Sequence, residues 1–210
     1  MIANTDTLQR AAEHLATNDP ILARLIPLVG PCTLQPHTNY YQELVQSILG
    51  QQLSLKAAAA IEARFVALFE GAFPSPQQLA AAHPDDLRGA GLSRAKVTYV
   101  QDLARHVLDG RIHFEHLDRL SNQQIISELT AVKGIGEWTV HMFLIFCMGR
   151  LDVLPVGDLG IKNAVRALYQ LPEQPSPQTV TAIATKNNWQ PYESVASWYA
   201  WQSLTLSANI

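Results

Sequence analysis

Two helices joined by a tight turn are predicted by the stretch Val132-Lys133-Gly134-Ile135-Gly136-Glu137-Trp138-Thr139. Apolar residues recur at helical spacing before it and stop at Lys133-Gly134, where glycine permits backbone conformations closed to other residues. Glu137 would lie in the first turn of the next helix, where a carboxylate suits the helix dipole, and residues 138–148 are apolar enough for a buried helix. A turn of two glycines around one isoleucine leaves backbone N–H groups accessible to a phosphate oxygen.

A lone carboxylate, Asp158, follows this hairpin after the segment Leu154-Pro155-Val156-Gly157. It stands immediately before an apolar, helix-like run that begins at Leu159, so it is placed at the start of a new helix. One interpretation is an N-cap, a position that aspartate commonly occupies. The other is a catalytic acid next to the hairpin. A Gly-x-Gly turn alone is weak evidence for function, because many plain helical hairpins use one.

The composition is that of a globular protein. The chain has 210 residues, 48% of them hydrophobic, which is enough for a full core. Its longest apolar runs fall short of the ~20 residues that a membrane span needs, and no cleavable signal pattern opens the sequence, so we expect a soluble cytoplasmic protein, nucleoid-associated if bacterial. The net charge of −3 argues against a protein that coats nucleic acid through bulk charge, so any contact with nucleic acid would have to be local. Two cysteines, Cys32 and Cys147, are too few to hold an iron-sulfur cluster.

The remaining segments predict an all-α protein. Periodic apolar residues separated by glycines and prolines predict helices over residues 8–15, 21–29, 40–49, 55–69, 77–82, 85–90, 94–108, 159–171, 178–187 and 191–206. Ser54 is a candidate cap for the alanine-rich helix that follows it, and Ser121 for the first helix of the hairpin. Residues 112–120 read as irregular. No strand-like alternation and no repeat of fixed period is evident.

The hairpin and the acid together resemble the helix-hairpin-helix DNA glycosylases that carry a catalytic aspartate, and most closely the 3-methyladenine DNA glycosylase II branch. The resemblance extends from about Tyr40 through Trp201, with residues 133–139 and 154–158 as its specific core. It implies a two-lobed fold with the active-site cleft between the lobes. Residues 37–150 would form a six-helix barrel that carries the hairpin. Residues 1–36 and 151–210 would form a second helical domain that carries the acid.

The resemblance also implies an active site. Asp158 would be the catalytic residue, stabilising the oxocarbenium-like sugar electrostatically or activating water, and the sequence leaves both roles open. The substrate pocket would include Trp138, Trp201, Met142 and Leu159, although the last two stand where the best-known enzyme has tyrosines. Core packing is the competing interpretation of both tryptophans. Glycosylases that also nick the strand carry a lysine at the position of Trp138, so the resemblance implies a monofunctional enzyme.

The DNA contacts implied by the resemblance lie on two turns. One is the hairpin, with Lys133, Gly134, Ile135 and Gly136. The other is the turn with Gln51 and Gln52, where Gln52 would fill the gap left by a flipped nucleotide, although relatives use an apolar wedge. A plain solvated helix connection is the alternative for both glutamines. Leu92, Arg94 and Lys96 resemble a second DNA-facing loop, but cations at a helix start are commonly just solvated surface.

A metal would be of minor importance. The resemblance implies a structural Na⁺ or K⁺ held by the carbonyl groups of Thr130, Val132 and Ile135, bridging to a DNA phosphate. No cluster of His, Cys, Asp and Glu indicates zinc, and no other cofactor is expected. His141 would either face the groove or pack in the protein, and packing is the preferred interpretation.

The function implied is that of a monomeric, monofunctional DNA glycosylase that hydrolyses the N-glycosidic bond of alkylated purines, such as 3-methyladenine and 7-methylguanine, in damaged double-stranded DNA during base excision repair. A non-catalytic helix-hairpin-helix DNA-binding module is the main alternative, but it has no use for the acid or for an aromatic pocket. A protein-binding helical scaffold also fits the composition, but it leaves the hairpin unexplained. An assay of base release from alkylated DNA would distinguish these three functions.

Overall fold

Local capping signals begin most of the helices. The computed structural model describes residues 2–207. In it the hydroxyl of Ser54 accepts a hydrogen bond from the backbone N–H of Ala57, and Ser121 forms a reciprocal capping box with Gln124. Such caps satisfy N–H groups that the first turn of a helix cannot pair internally. Both caps were predicted from the sequence, and both are confirmed.

The regular secondary structure of the described residues is helical. The helices are α1 (Thr5–Asn18), α2 (Pro20–Val29), α3 (Tyr40–Gly50), α4 (Leu55–Ala67), α5 (Pro76–Ala81), α6 (Pro84–Gly89), α7 (Arg94–Leu108), α8 (Asn122–Leu129), α9 (Glu137–Met142), α10 (Leu159–Leu168), α11 (Pro177–Lys186) and α12 (Glu193–Ser207). Within residues 2–207 the only β-pairing is an isolated bridge between Ile2 and Arg150. The all-α prediction is therefore confirmed. None of the described helices is both long and apolar enough to cross a membrane.

Two predictions of local structure were wrong. Residues 112–120, expected to be irregular, contain a 3₁₀-helix over Phe114–Arg119. The single buried helix expected over residues 138–148 is instead the short α9, which continues as a π-helix over Phe143–Cys147. A π-turn inserts a residue into the helical ladder and changes which side chains share a face, and an apolar run does not reveal this.

Contacts divide the chain into two compact units. One unit consists of Asn39–Phe143, and the other combines Met1–Thr38 with Leu144–Ile210. In the unit Asn39–Phe143, α3 packs against α4 and α7, α7 also contacts α5 and α6, and α8 contacts α9. Phe65, Leu79, Leu103 and Leu129 are fully buried there. The hairpin is thus mounted on a closely packed helical core.

The second unit is organised around a buried aspartate. Asp19 is completely buried and caps α2 through hydrogen bonds from the N–H groups of Ile21 and Leu22. Its other carboxylate oxygen accepts hydrogen bonds from the Tyr169 hydroxyl and from the Trp189 indole at 2.8 Å. Buried charges are tolerated when they are hydrogen-bonded in this way. The capped helix α2 also packs against α1 and α12, while α12 packs against α10.

Candidate functional site

The hairpin turn connects α8 to α9 and is held from both sides. Gly134 has a φ of +83°, which an L side chain rarely adopts, and a Cβ there would lie 2.2 Å from the Tyr99 ring. The preceding backbone N–H, at Lys133, donates to the carboxylate of Asp102 at 2.9 Å. Ile135 is buried, with 3% of its surface exposed. Only the backbone of Ile135 is therefore positioned for a phosphate, while its side chain anchors the turn.

The start of α9 lacks a side-chain cap. Gly136 occupies the N-cap position with φ −94° and ψ 167°, an extended conformation open to any residue, and no side chain caps the helix there. A Cβ at Gly136 would meet no atom within 4 Å. Glycine here is not required by the backbone or by packing. Its effect is to leave the first turn of α9 uncovered, which suits the approach of a phosphate.

The two glutamines after α3 have different environments. The Gln51 side-chain amide donates to the carbonyl of Gly134 at 2.8 Å, so this side chain ties the turn to the hairpin. Gln52 is exposed and has a positive φ of 59°. Such a left-handed conformation in a non-glycine residue occurs at turns and functional sites. Of the two, only Gln52 presents its side chain outward.

Lys96 supports the same turn. Its ammonium group donates to the carbonyl of Leu49 at 2.7 Å and to that of Gln51 at 2.8 Å. These carbonyls lie at the end of α3, where the helix leaves acceptors unpaired and a cation is favourable. Burial lowers the pKa of Lys96. In the structure Lys96 thus serves an internal role, whereas Arg94 and its N-cap Ser93 are exposed.

Trp138 and Met142 line a cavity of about 570 Å³ in the unit Asn39–Phe143. Trp138 is 55% exposed, which excludes the core-packing interpretation for this residue. His141, one turn along, is half-buried and lies 3.7 Å from Glu137. Burial lowers the pKa of His141, and the nearby Glu137 opposes part of that shift. The preferred interpretation of His141 as a packed residue agrees with this environment.

Asp158 is the N-cap of α10. Its Oδ1 accepts the Ile161 backbone N–H at 2.7 Å and the Trp201 indole N–H at 2.8 Å. The two interpretations of this residue are therefore compatible: it caps a helix, and its carboxylate is oriented by a tryptophan from α12. Trp201 is half-buried, and its ring lies 5.6 Å from that of Phe146. The neighbouring Leu159 is 65% exposed.

Several residues that matter to this geometry were missed in the sequence. At Gly160 a Cβ would lie 3.0 Å from both Asp158 Oδ1 and the Trp201 indole, so glycine permits their hydrogen bond. Asp102 and Tyr99 hold the hairpin from α7, 31 residues or more away in the chain. Glu43 lines the cavity beside Trp138. None of these has a local signal, since each matters only through a partner distant in sequence.

The cation prediction concerns the carbonyl groups of Thr130, Val132 and Ile135. The Val132 carbonyl accepts the Ile135 N–H at 3.1 Å, and a carbonyl oxygen keeps a second lone pair for a cation. Neutral backbone oxygens suit hard cations and not thiophilic metals. Within residues 2–207 no group of three or more His, Cys, Asp or Glu side chains could hold a metal ion. The monovalent cation stays a prediction.

Comparison with known proteins gives consistent matches over most of the chain. The model of the HhH-GPD superfamily of base excision DNA repair proteins matches residues 45–191. DNA-3-methyladenine glycosylase 1 of Schizosaccharomyces pombe is 36% identical over 206 residues, covering 96% of this chain and 90% of that protein. The solved structure of the 3-methyladenine DNA glycosylase of S. pombe in complex with abasic DNA superposes with a TM-score of 0.80, 36% identity and coverage of 94% and 98%. A DNA-3-methyladenine glycosidase from Bacillus halodurans gives a TM-score of 0.87 at 38% identity, with coverage of 95% and 91%.

Proposed function

This chain belongs to the HhH-GPD superfamily of base excision DNA repair proteins, and we propose that it is a monofunctional glycosylase that removes alkylated purines from double-stranded DNA. The observation that carries the proposal is the carboxylate of Asp158, oriented by the Trp201 indole at the start of α10. The similar proteins named for 3-methyladenine support the substrate class. The exposed Trp138 supports it independently.

Asp158 acts on the sugar. As the bond between C1′ and the purine nitrogen breaks, its electron pair passes to the base and positive charge develops at the sugar. An ionised carboxylate stabilises that charge, and water adds to C1′ with loss of a proton. The hydrogen bonds from Ile161 and Trp201 fix the orientation of the carboxylate, because both donors bind the same oxygen, Oδ1. The proton passes to bulk water if Asp158 acts only electrostatically, and to Asp158 if the carboxylate acts as general base.

The proposed type of lesion follows from the charge of the damaged base. Methylation of N3 or N7 gives the purine a formal positive charge, which weakens its glycosidic bond, so one carboxylate is sufficient assistance. Trp138 offers an aromatic face, and a cation gains ~0.5–2 kcal/mol there over a neutral ring. The base must first leave the duplex, at roughly a few kcal/mol, and damaged or poorly paired bases leave most easily. Gln52 would occupy the gap, while Lys133, Gly136 and the hairpin backbone would bind the phosphates.

Strand cleavage is not part of the proposed activity. A lysine in place of Trp138 would be needed to form an imine with the sugar, and α9 has no lysine. The product should be an intact abasic strand that breaks only on later treatment with alkali. We further propose that residues 37–150 and residues 1–36 with 151–210 act as the two domains of a cytoplasmic monomer, nucleoid-associated if the source is bacterial.

The decisive experiment is single-turnover base release from duplexes that contain 7-methylguanine or 8-oxoguanine. We expect release of 7-methylguanine, little release of 8-oxoguanine, and no covalent complex trapped by borohydride. Trp138→Ala should slow 7-methylguanine release about tenfold, because it removes the aromatic face; Trp138→Phe, which retains an aromatic ring, is the matched control. DNA binding without any base release would instead indicate a non-catalytic helix-hairpin-helix module.

A further inference from the structure

The cavity beside Trp138 is built from two helix faces and the turn that follows α3. Trp138 and Met142 are four residues apart on α9, and Glu43 and Ser47 are four residues apart on α3, so each pair shares a helix face. The complete lining consists of Glu43, Leu44, Ser47, Gly50, Gln51, Gln52, Leu53, Trp138, Thr139, Met142 and Phe143. All of these residues lie in the unit Asn39–Phe143. The cavity therefore lies within one of the two compact units.

Glu43 is distinct among these residues. It is the only ionisable side chain among the described residues that line the cavity, and it is half-buried. Leu44, Leu53, Met142 and Phe143 give the cavity apolar walls. Apolar walls lower the local dielectric, so a carboxylate acts more strongly on a ligand there than it would on an open surface. A volume of about 570 Å³ is within the range of small-molecule sites, and it can hold a purine.

We propose that Glu43 is a specificity-determining residue that makes this cavity select purines carrying a formal positive charge. The proposal rests on the proposed function, since it assumes that the flipped base enters the cavity beside Trp138. Glu43 and Trp138 then act on the same property of the base from two different helices. The indole face attracts a cationic ring through its quadrupole, and the carboxylate attracts it through its net charge.

The two attractions differ in a way that can be measured. An aromatic face also stacks on neutral bases, so Trp138 by itself gives only partial discrimination. A carboxylate can accept a hydrogen bond from a purine amino group, but normal guanine and adenine also have amino groups. Of the interactions that Glu43 can make with the base, only the Coulomb attraction depends on the positive charge that methylation gives the purine ring. Removing the charge of Glu43 should therefore weaken the preference between a methylated base and its unmethylated parent, more than it weakens binding in general.

The test is a pair of duplexes with one nucleotide different. One holds 2′-fluoro-7-methylguanosine, in which the fluorine slows cleavage of the glycosidic bond, and the other holds 2′-fluoroguanosine at the same position. The Kd of each is measured by fluorescence anisotropy for the wild type and for Glu43→Gln, which keeps the side-chain volume. We define the preference as the Kd of the guanine duplex divided by the Kd of the 7-methylguanine duplex. We expect this preference to fall about two- to fivefold in the variant, as for loss of one partly exposed charge pair.

Glu115→Gln is the matched control, because it removes the same charge from an exposed position in the same unit, outside the cavity. Its Kd ratio should equal that of the wild type. Three results would each overturn the proposal. They are an unchanged Kd ratio in Glu43→Gln, an equal rise of both Kd values in that variant, and a wild type with no preference for the methylated base. Base release from unfluorinated 7-methylguanine DNA is measured in parallel. If the wild type releases the base but Glu43→Gln leaves the Kd ratio unchanged, the inference about Glu43 fails and the proposed function stands. If the wild type releases no base, the proposed function fails.

Discussion

The hairpin turn and the turn before Asp158 are built alike but capped differently. Each is a glycine-containing turn that ends at the N-cap of a helix, Gly136 for α9 and Asp158 for α10. Both N-caps have extended backbone conformations. Gly136 brings no side chain to its helix, whereas the carboxylate of Asp158 accepts the N–H of Ile161. One turn leaves the helix start uncovered for an external anion, and the other covers it with its own anion.

Under the proposed function, this difference would separate DNA binding at the hairpin from chemistry at Asp158. A turn without a side chain can approach a phosphate closely, which fixes position on DNA without reading the bases. A turn that carries its own carboxylate holds that group in a defined orientation, here strengthened by the indole of Trp201. Changing the cap residue should therefore alter DNA affinity at the hairpin and base release at Asp158.

The largest effect is expected for Asp158→Asn. The amide oxygen can still accept the N–H groups of Ile161 and Trp201, so the helix remains capped while the negative charge is lost. Base release should fall by at least about 10²-fold, the size seen when one electrostatic stabiliser of a transition state is removed. Affinity for abasic DNA and the melting temperature should change little. Near wild-type excision by Asp158→Asn would contradict the catalytic role of Asp158. Asp158→Ala also loses the helix cap, so its additional loss of stability measures the structural contribution of this residue.

The second prediction gives the hairpin the cap chemistry of the other turn. Gly136→Asp fits the backbone and the space at this position, and its carboxylate would accept the N–H groups of the first turn of α9. We expect DNA affinity to fall about tenfold or more irrespective of sequence, through charge repulsion and a covered helix start, while the free energy of unfolding rises by about a few tenths of a kcal/mol.

Gly136→Asn is the matched control, because it supplies the cap without the charge and separates covering from repulsion. Gly134 is a poor site for this test, since its positive φ and the adjacent Tyr99 ring mean that any side chain would distort the turn itself. Unchanged affinity in Gly136→Asp would show that the hairpin does not contact DNA.

A smaller effect is expected at the support of the hairpin. Lys96→Met keeps most of the side-chain volume but leaves the carbonyl groups of Leu49 and Gln51 without their charged donor. The loss should cost about 1–3 kcal/mol in the free energy of unfolding and weaken DNA binding several-fold, since Gln51 links this turn to Gly134. Arg105→Met removes the same charge from an exposed position on α7 and should change neither. Equal effects of the two variants would mean that Lys96 acts only through bulk charge.

The smallest effect concerns pH. Burial lowers the pKa of His141 below its ordinary value of 6.5, although Glu137 opposes the shift. Below pH 6.5 the unfolded chain therefore binds more protons at this site than the folded protein does, so stability decreases as pH falls. The melting temperature of His141→Gln should decrease less than that of the wild type when the pH is lowered from 7.5 to 5.5. The exposed His116→Gln is the control, and an equal loss in all three proteins would contradict this assignment.

Much of the fold was predictable because its signals are local. Serine caps, prolines and the spacing of apolar residues act within one or two turns, and they located α3, α4 and α7 to within about two residues of the observed bounds. The end of α9 was not predictable in this way. An apolar run does not distinguish an α-helix from a π-helix, because the choice between them is made by the packing around the run.

Residue types at short spacings were enough to predict the helix-hairpin-helix pattern, the acid at a helix start and the absence of a lysine at position 138. How these residues are held in place depends on contacts that form only in the folded chain. Trp201 reaches Asp158 across 43 residues through the space left by Gly160, and Asp102 reaches the Lys133 N–H across 31. Glu43 and Trp138 share a cavity although 95 residues separate them (138 − 43). Such pairs carry no local signal, since their interaction energy exists only once the helices between them have packed.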